Sequence, residues 1–179
     1  MAAAARPGFR LELLDSKRHD RATFTCGVEA LDRYLRTQAA QDMRRKANAV
    51  FVMVPTESPS RIIGYFTLCA LAIDHGDVPE AVRTHLPRYP LVSATLIGRL
   101  AIARERQGQG VGGMLLALAL SKAHRNADVV GSSMVVVDAT DEPAARFYRA
   151  HGFIRLPESM RLILPMRAVG KLVGPQDYE

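Results

Sequence analysis

The chain has 179 residues, of which 48% are hydrophobic, and this is enough for a single hydrophobic core. Its formal net charge of +6 is high for an enzyme of small neutral substrates and suits a polyanionic partner. The longest apolar run, near residues 111–120, is too short to cross a bilayer, and the first residues do not resemble a signal peptide. We therefore expect a cytoplasmic protein without a membrane partner.

Strand and helix patterns alternate along the chain. The first half predicts a strand over 9–14, helices over about 27–46, strands over 49–55 and 61–73, and a short helix over 78–86. The second half predicts a strand over 92–103, a helix over 110–126, a strand over 133–138, a helix over 142–150, and strands near 152–155 and 160–166. This alternation predicts an α/β fold with a mixed sheet covered by helices, in one domain spanning 1–179.

A glycine-rich turn joins the predicted strand over 92–103 to the apolar helix after it. A turn of this kind at a helix start leaves backbone N–H groups unpaired, and the helix dipole favours negative charge at the same point. Arg104 and Arg106 add positive charge beside it. The segment therefore predicts a phosphate or pyrophosphate site, with a merely flexible turn as the alternative. Its residues are Gln107, Gly108, Gln109, Gly110, Val111, Gly112 and Gly113.

The same glycines also satisfy the dinucleotide fingerprint G-x-G-x-x-G, at Gly108, Gly110 and Gly113. In the dinucleotide fold an acidic residue ends the second parallel strand, whereas Asp128 follows the polar tail of the predicted helix. No G-K-[ST] sequence follows the glycines, which argues against a nucleoside-triphosphate loop. We therefore expect another kind of phosphate ligand.

A second segment, Asp141–Phe153, follows the predicted strand over 133–138 and has the features of a short helix. Asp141 suits the N-cap, and Pro143 suits the first turn. Small residues beside a phenol on one helix face leave a slot for a slender ligand, whereas a buried tyrosine with a satisfied hydroxyl is the structural alternative. The residues on this face are Asp141, Ala144, Ala145 and Tyr148.

Together, the two segments resemble those of the GNAT superfamily of acyl-coenzyme A N-acyltransferases. Gln107–Gly112 is similar to the family's [Q/R]-x-x-G-x-[G/A] turn, whose amides bind the coenzyme A pyrophosphate. Asp141–Tyr148 is similar to its N-x-x-A-x-x-x-Y segment, with aspartate in place of the usual asparagine, and Gly152-Phe153 follows as in the family. The resemblance implies a mixed, mostly antiparallel central sheet flanked by helices, and a core of about 92–155 that binds acetyl-CoA as acyl donor.

The resemblance also implies roles for individual residues. A neutral amine attacks the thioester directly in a ternary complex, and Tyr148 is the general acid that protonates the departing thiolate. Transfer from a phenol of pKa about 10 to a thiol of about 8.5 is uphill by roughly 2 kcal/mol. The residues implied in coenzyme binding are Leu100, Ala101 and Ile102 on the strand, the turn from Gln107 to Gly113, and Asp141, Ala144, Ala145 and Phe147.

The N-terminal third resembles one branch of this superfamily. The sequence from Phe24 to Leu35, which includes Cys26-Gly27, is similar to the F-x-C-G-x-x-x-L-D-x-[WY]-L opening of the TacT-like toxins of bacterial toxin–antitoxin systems. This resemblance implies acetylation of the α-amino group of aminoacyl-tRNA, a block of translation, and a ribbon-helix-helix antitoxin as partner. No convincing catalytic carboxylate stands out, which favours an α-amine, partly neutral at pH 7, over a lysine as acceptor.

Basic residues are concentrated on the predicted helices over about 27–46, which we expect on the acceptor side of the domain. They suit contacts with RNA phosphates, which would make binding strongly dependent on salt. An ordinary solvated helix face is the alternative. The candidates for tRNA contacts are Arg36, Arg44, Arg45 and Lys46.

The sequence leaves other functions and assemblies open. The alternatives to a tRNA-directed toxin are an N-acetyltransferase of a small-molecule or protein amine, and a non-catalytic module that binds acyl-CoA or a partner. Apolar runs at 68–73 and 111–120 fit either a homodimer or a thick single core. The five histidines lack ligand spacing and the two cysteines lie in separate motifs, so we predict no metal site and no disulfide.

Overall fold

The computed structural model describes residues 8–174, and in this range seven strands form one sheet. β4 and β5 pair in parallel, whereas β1–β2, β5–β7 and β6–β7 pair antiparallel, in the order β1-β2-β3-β4-β5-β7-β6 across the sheet. The predicted mixed, mostly antiparallel sheet is confirmed. The strands are β1 (Phe9–Leu13), β2 (Ala49–Pro55), β3 (Gly64–Asp74), β4 (Leu91–Ile102), β5 (Met134–Asp138), β6 (Ile154–Arg155) and β7 (Arg161–Pro165).

Six α-helices accompany these strands within residues 8–174, and none of them has the length and apolarity needed to cross a membrane. The predicted helical stretch over 27–46 is two helices, because Gln38 leaves the helical conformation at φ −126° and ψ −33°. The helix predicted over 78–86 is reduced to a single turn. The helices are α1 (Glu29–Thr37), α2 (Ala39–Arg44), α3 (Glu80–Arg83), α4 (Val111–Asn126), α5 (Glu142–Ala150) and α6 (Met166–Val173).

α6 is an element that the sequence analysis does not predict. Gly170 lies in its middle, and glycine is a poor helix former. In the structure a Cβ atom at this position would lie 3.0 Å from Nε2 of His124, on α4. The glycine therefore lets α6 approach the last turn of α4 closely, which is a packing requirement that local propensity does not reveal.

Residues up to Thr67 and Arg99–Leu116 form one compact unit, which contains the glycine-rich turn and the helices α1 and α2. The rings of Phe24 and Tyr65 meet edge to face with centroids 5.6 Å apart. Burial of aliphatic side chains stabilises this unit by about 1.5–3 kcal/mol each. The fully buried residues of this core include Leu35, Ala39, Val50 and Val52.

Residues 68–98 and those that follow Leu116 form the second compact unit, which contains α5 and Tyr148. Its central strand is β5, where Met134 and Val136 point to one face of the sheet and Val135 and Val137 to the other. All four side chains are at most 1% exposed. A strand buried on both faces is typical of a sheet covered by helices on both sides, as the apolar run in the sequence predicts.

Candidate functional site

The glycine-rich turn presents a row of unpaired backbone donors. β4 ends at Ile102, a 3₁₀ turn follows, and α4 begins at Val111. Gly108 and Gly110 have φ values of +75° and +77°, a region that L-residues rarely adopt. Within residues 8–174, the N–H groups from Gly108 to Gly113 donate to no backbone or side-chain acceptor. Successive unpaired amides at a helix N-terminus form an anion site, which fits a pyrophosphate.

The side chain of Gln107 attaches this turn to the rest of its unit. Its Nε2 donates to the carbonyl oxygen of Cys26 at 2.7 Å and to that of Ile102 at 3.0 Å. The N–H of Arg104 donates to the carbonyl of Thr25 at 2.8 Å. A Cβ atom at Gly27, whose φ is +92°, would lie 2.9 Å from the Arg104 guanidinium. The Thr25–Gly27 segment therefore positions the turn.

A buried carboxylate holds the same segment in place. Asp32 accepts hydrogen bonds from the N–H of Cys26 at 2.8 Å and from the hydroxyl of Thr25 at 3.0 Å. Burial opposes ionisation, but these hydrogen bonds hold the pKa of Asp32 below its ordinary value. Burial and the neighbouring Asp32 raise the pKa of the Cys26 thiol to about 11. Cys26 therefore stays protonated at neutral pH and is not a nucleophile.

The strand β4 carries Leu100, Ala101 and Ile102, which the resemblance places beside the pantetheine arm. Leu100 is half-buried, and the other two side chains are buried. The parallel pairing with β5 covers Thr95 to Ile97, and β4 continues beyond it to Ile102. Their coenzyme contacts stay a prediction.

α5 begins with a side-chain cap. The carboxylate of Asp141 accepts the N–H of Ala144 at 2.8 Å, so the residue that replaces the usual asparagine is used by its own helix. Arg155 donates to both carboxylate oxygens of Glu142, at 2.9 and 3.0 Å. Ala145 is fully buried, whereas Ala144 is half-buried. The helix that carries Tyr148 is thus fixed at its first turn.

The Tyr148 ring is buried among aromatic side chains of the same unit. Phe147 and Phe153 meet it edge to face, with ring centroids 5.2 and 5.5 Å away. The side chain is only 9% exposed, and burial raises the pKa of Tyr148 to about 12. No residue between 8 and 174 forms a hydrogen bond with its hydroxyl. The phenol therefore keeps its proton at physiological pH and has it available to donate.

The predicted phosphate-contacting cations differ in their partners. Arg36 pairs with Glu29 at 3.1 Å. Arg44, Arg45 and Lys46 are exposed at the end of α2, and no ion pair joins them to an acid of the described chain. Lys46 adopts φ +60°, which ends the helix. Three adjacent uncompensated cations therefore mark this end of α2.

A family model for the acetyltransferase (GNAT) domain matches residues 48–155 of the chain, which is more than half of it. The chain belongs to the GNAT acetyltransferase family. It is therefore an acetyltransferase, and acetyl-CoA is its acyl donor. The unpaired amides of the glycine-rich turn suit the diphosphate of that donor. Between residues 8 and 174, no group of His, Cys, Asp or Glu side chains is arranged to hold a metal ion.

This acetyltransferase is similar along nearly its whole length to characterised toxins. It is 31% identical to the tRNA-acetylating toxin of Mycobacterium tuberculosis, over 87% of this chain and 91% of that protein. It superposes with a TM-score of 0.84 and 29% identity on AtaT complexed with acetyl-methionyl-tRNAfMet, over 93% and 99% of the two chains. A tyrosine-to-phenylalanine mutant of AtaT, bound to acetyl-CoA and the C-terminus of the antitoxin AtaR, gives 0.78 and 27%, over 92% and 98%.

Replacing Gly112 with aspartate tests the anion site. A carboxylate in the first turn is favourable for the helix dipole, so the fold is retained, but it repels the diphosphate. We expect the Kd for acetyl-CoA, measured by calorimetry, to rise about 100-fold, equivalent to two charge-assisted hydrogen bonds. The control Gly131→Asp adds the same charge at a glycine with open space around it and should bind normally. Unchanged binding by Gly112→Asp contradicts the assignment.

Replacing Tyr148 with phenylalanine tests its role as general acid. We expect kcat to fall by about 100- to 1,000-fold with the affinity for acetyl-CoA unchanged within about twofold, because only the proton donor is lost. In the native enzyme the rate should rise with pH until the acceptor amine is neutral near pH 8. It should then stay level beyond pH 10, because the phenol with pKa about 12 remains protonated. A decline between pH 9 and 10 would exclude the buried phenol as acid.

Proposed function

We propose that this enzyme acetylates the α-amino group of aminoacyl-tRNA in the bacterial cytoplasm and thereby blocks translation. The likeness to AtaT complexed with acetyl-methionyl-tRNAfMet, over 99% of that chain, is the observation that carries the proposal. The matching toxin of Mycobacterium tuberculosis supports the same substrate class. The net charge of +6 and the uncompensated cations of α2 suit a nucleic-acid acceptor.

In the proposed reaction, the neutral α-amine attacks the thioester carbonyl carbon, a C–N bond forms and the C–S bond breaks. Tyr148 gives its proton to the departing sulfur, and the proton lost by nitrogen returns to the phenol through solvent. With a pKa of about 12, transfer to a free thiol of about 8.5 is uphill by about 5 kcal/mol. Tyr148 therefore acts chiefly as a hydrogen-bond donor while charge develops on sulfur, and transfer is completed as the bond breaks.

The carboxylates near the turn support an α-amine as the nucleophile. Asp32 is occupied by Cys26 and Thr25, and Glu105 pairs with Arg61 at 2.7 Å, so neither is available as a base. An α-amine with a pKa near 8 is partly neutral at pH 7, whereas a lysine at about 10.4 needs a base. This difference favours aminoacyl-tRNA over a lysine side chain.

Mass spectrometry and acetyl transfer to defined acceptors test this function. Purified enzyme is incubated with labelled acetyl-CoA and with charged tRNA, uncharged tRNA or polyamines. We expect label on the amino acid of charged tRNA and none on uncharged tRNA. Label on polyamines alone would support a small-amine acetyltransferase, and tight acetyl-CoA binding without transfer would support a non-catalytic module; either result refutes the proposal.

The cations at the end of α2 provide a second test. Replacing Arg44, Arg45 and Lys46 with alanine should raise the KM for charged tRNA at least tenfold, because three phosphate contacts are lost. The salt dependence of binding should weaken by a slope of about 0.9 per contact. The control replaces the exposed cations Lys17, Arg167 and Lys171, and its kinetics should not change. Equal effects of both triple variants would assign the cluster to general surface charge.

We also propose a ribbon-helix-helix antitoxin as partner. The resemblance to the TacT-like branch supports this class of antitoxin, and the similar AtaT structure contains the C-terminus of the antitoxin AtaR. Coexpression of a small DNA-binding protein encoded beside this chain should relieve growth inhibition. The homodimer that the apolar runs left open stays a prediction, and sedimentation equilibrium of the purified chain checks it.

A further inference from the structure

Arg99 is a cation on β4 that the function described above does not use. It directly precedes Leu100, the first residue of the predicted pantetheine-binding segment. Its guanidinium carbon lies 3.5 Å from the centroid of the Tyr34 ring. Arg99 is half-buried, yet in the part of the chain that the structure describes no hydrogen bond or ion pair satisfies its five N–H donors.

The ring beneath Arg99 is fixed in position. The hydroxyl of Tyr34 donates to Asp42 Oδ2 at 2.8 Å. The amide of Asn48 donates to the Tyr34 hydroxyl at 3.2 Å and to Asp42 at 3.1 Å. Burial, with the hydrogen bond to Asp42, raises the pKa of Tyr34 to about 12, so the phenol itself is neutral. The guanidinium therefore lies on a rigid, uncharged platform.

A stacked guanidinium of this kind leaves the edge of its N–H fork open. Stacking on an aromatic face contributes about 0.5–2 kcal/mol but satisfies none of the N–H donors. By contrast, Arg21 in the same unit donates to the carbonyls of Leu35 and Arg36. A planar fork matches the two oxygens of a phosphate, and an orientation fixed beforehand lowers the entropic cost of binding.

We propose that Arg99 binds a phosphodiester in the single-stranded 3′ end of the tRNA acceptor. This inference rests on the proposed function. Because Arg99 adjoins the residues predicted to hold the thioester arm, the phosphate belongs to the nucleotides nearest the acetylated amine. Arg99 thereby favours an aminoacyl ester carried on RNA over a free amine of similar size, whereas the cations of α2 contact the acceptor more generally.

Two truncated acceptors isolate this contact. One is cytidylyl-adenosine aminoacylated at its 3′ end, with one phosphodiester, and the other is aminoacyl-adenosine, with none. The native enzyme should use the first with a kcat/KM 10- to 100-fold higher, the gain of one bidentate charged contact. Arg99→Gln should lose this preference and keep its activity on aminoacyl-adenosine, and Arg99→Lys should restore part of the preference through its charge.

The controls separate binding from folding. Arg18→Gln removes one exposed cation, which pairs with Glu12, and should retain the full preference. The Kd for acetyl-CoA should be the same in all variants if the fold is intact. An equal loss on both acceptors in Arg99→Gln, or no preference in the native enzyme, would overturn the inference.

A binding measurement keeps this test distinct from that of the proposed function. If the native enzyme acetylates no aminoacyl ester, the proposed function fails. Unacylated cytidylyl-adenosine is then titrated into enzyme labelled with ¹⁵N at arginine, and the Nε–Hε resonance of Arg99, assigned by its loss in Arg99→Gln, is followed. A saturable shift that adenosine does not produce supports the phosphate contact, and its absence overturns it.

Discussion

The two hydrogen bonds from the Gln107 amide are the contacts on which the donor site of this acetyltransferase depends. They tie the start of the glycine-rich turn to the end of β4 and to Cys26, 81 residues earlier in the chain. A turn with two glycines at positive φ is flexible by itself, and ordering it costs conformational entropy. Because the anchor contacts fix the turn in the folded chain, its amides are already aligned when the diphosphate arrives.

The distribution of charge follows from the same architecture. The carboxylate of Asp32 is used to hold the Cys26 segment, and Glu105 is paired with Arg61. The cations at the end of α2 and the stacked Arg99 have no comparable acidic partner among residues 8–174. Negative charge thus serves the fold, and positive charge is left for the ligand. This separation supports a polyanionic acceptor more strongly than the net charge alone.

Burial gives Tyr148 a proton that it holds firmly. Its aromatic neighbours exclude water, and the raised pKa makes the phenol a poor free acid but a lasting hydrogen-bond donor. An α-amine acceptor compensates for the absence of an available base near the turn, since it loses its own proton near neutral pH. The properties of donor and acceptor groups therefore fit each other without a catalytic carboxylate.

The sequence by itself determined the strands, the long helix α4, the capped helix α5 and the glycine-rich turn, because each depends on periodicity or turn chemistry within a few residues. The family followed from two such motifs at a fixed separation. Only the tertiary structure decided that Gln107 attaches to Cys26, that Gly170 lets α6 pack on His124, and that Arg99 stacks on Tyr34. These contacts join residues distant in the chain, so their energies exist only after folding brings the elements together, and no local pattern encodes them.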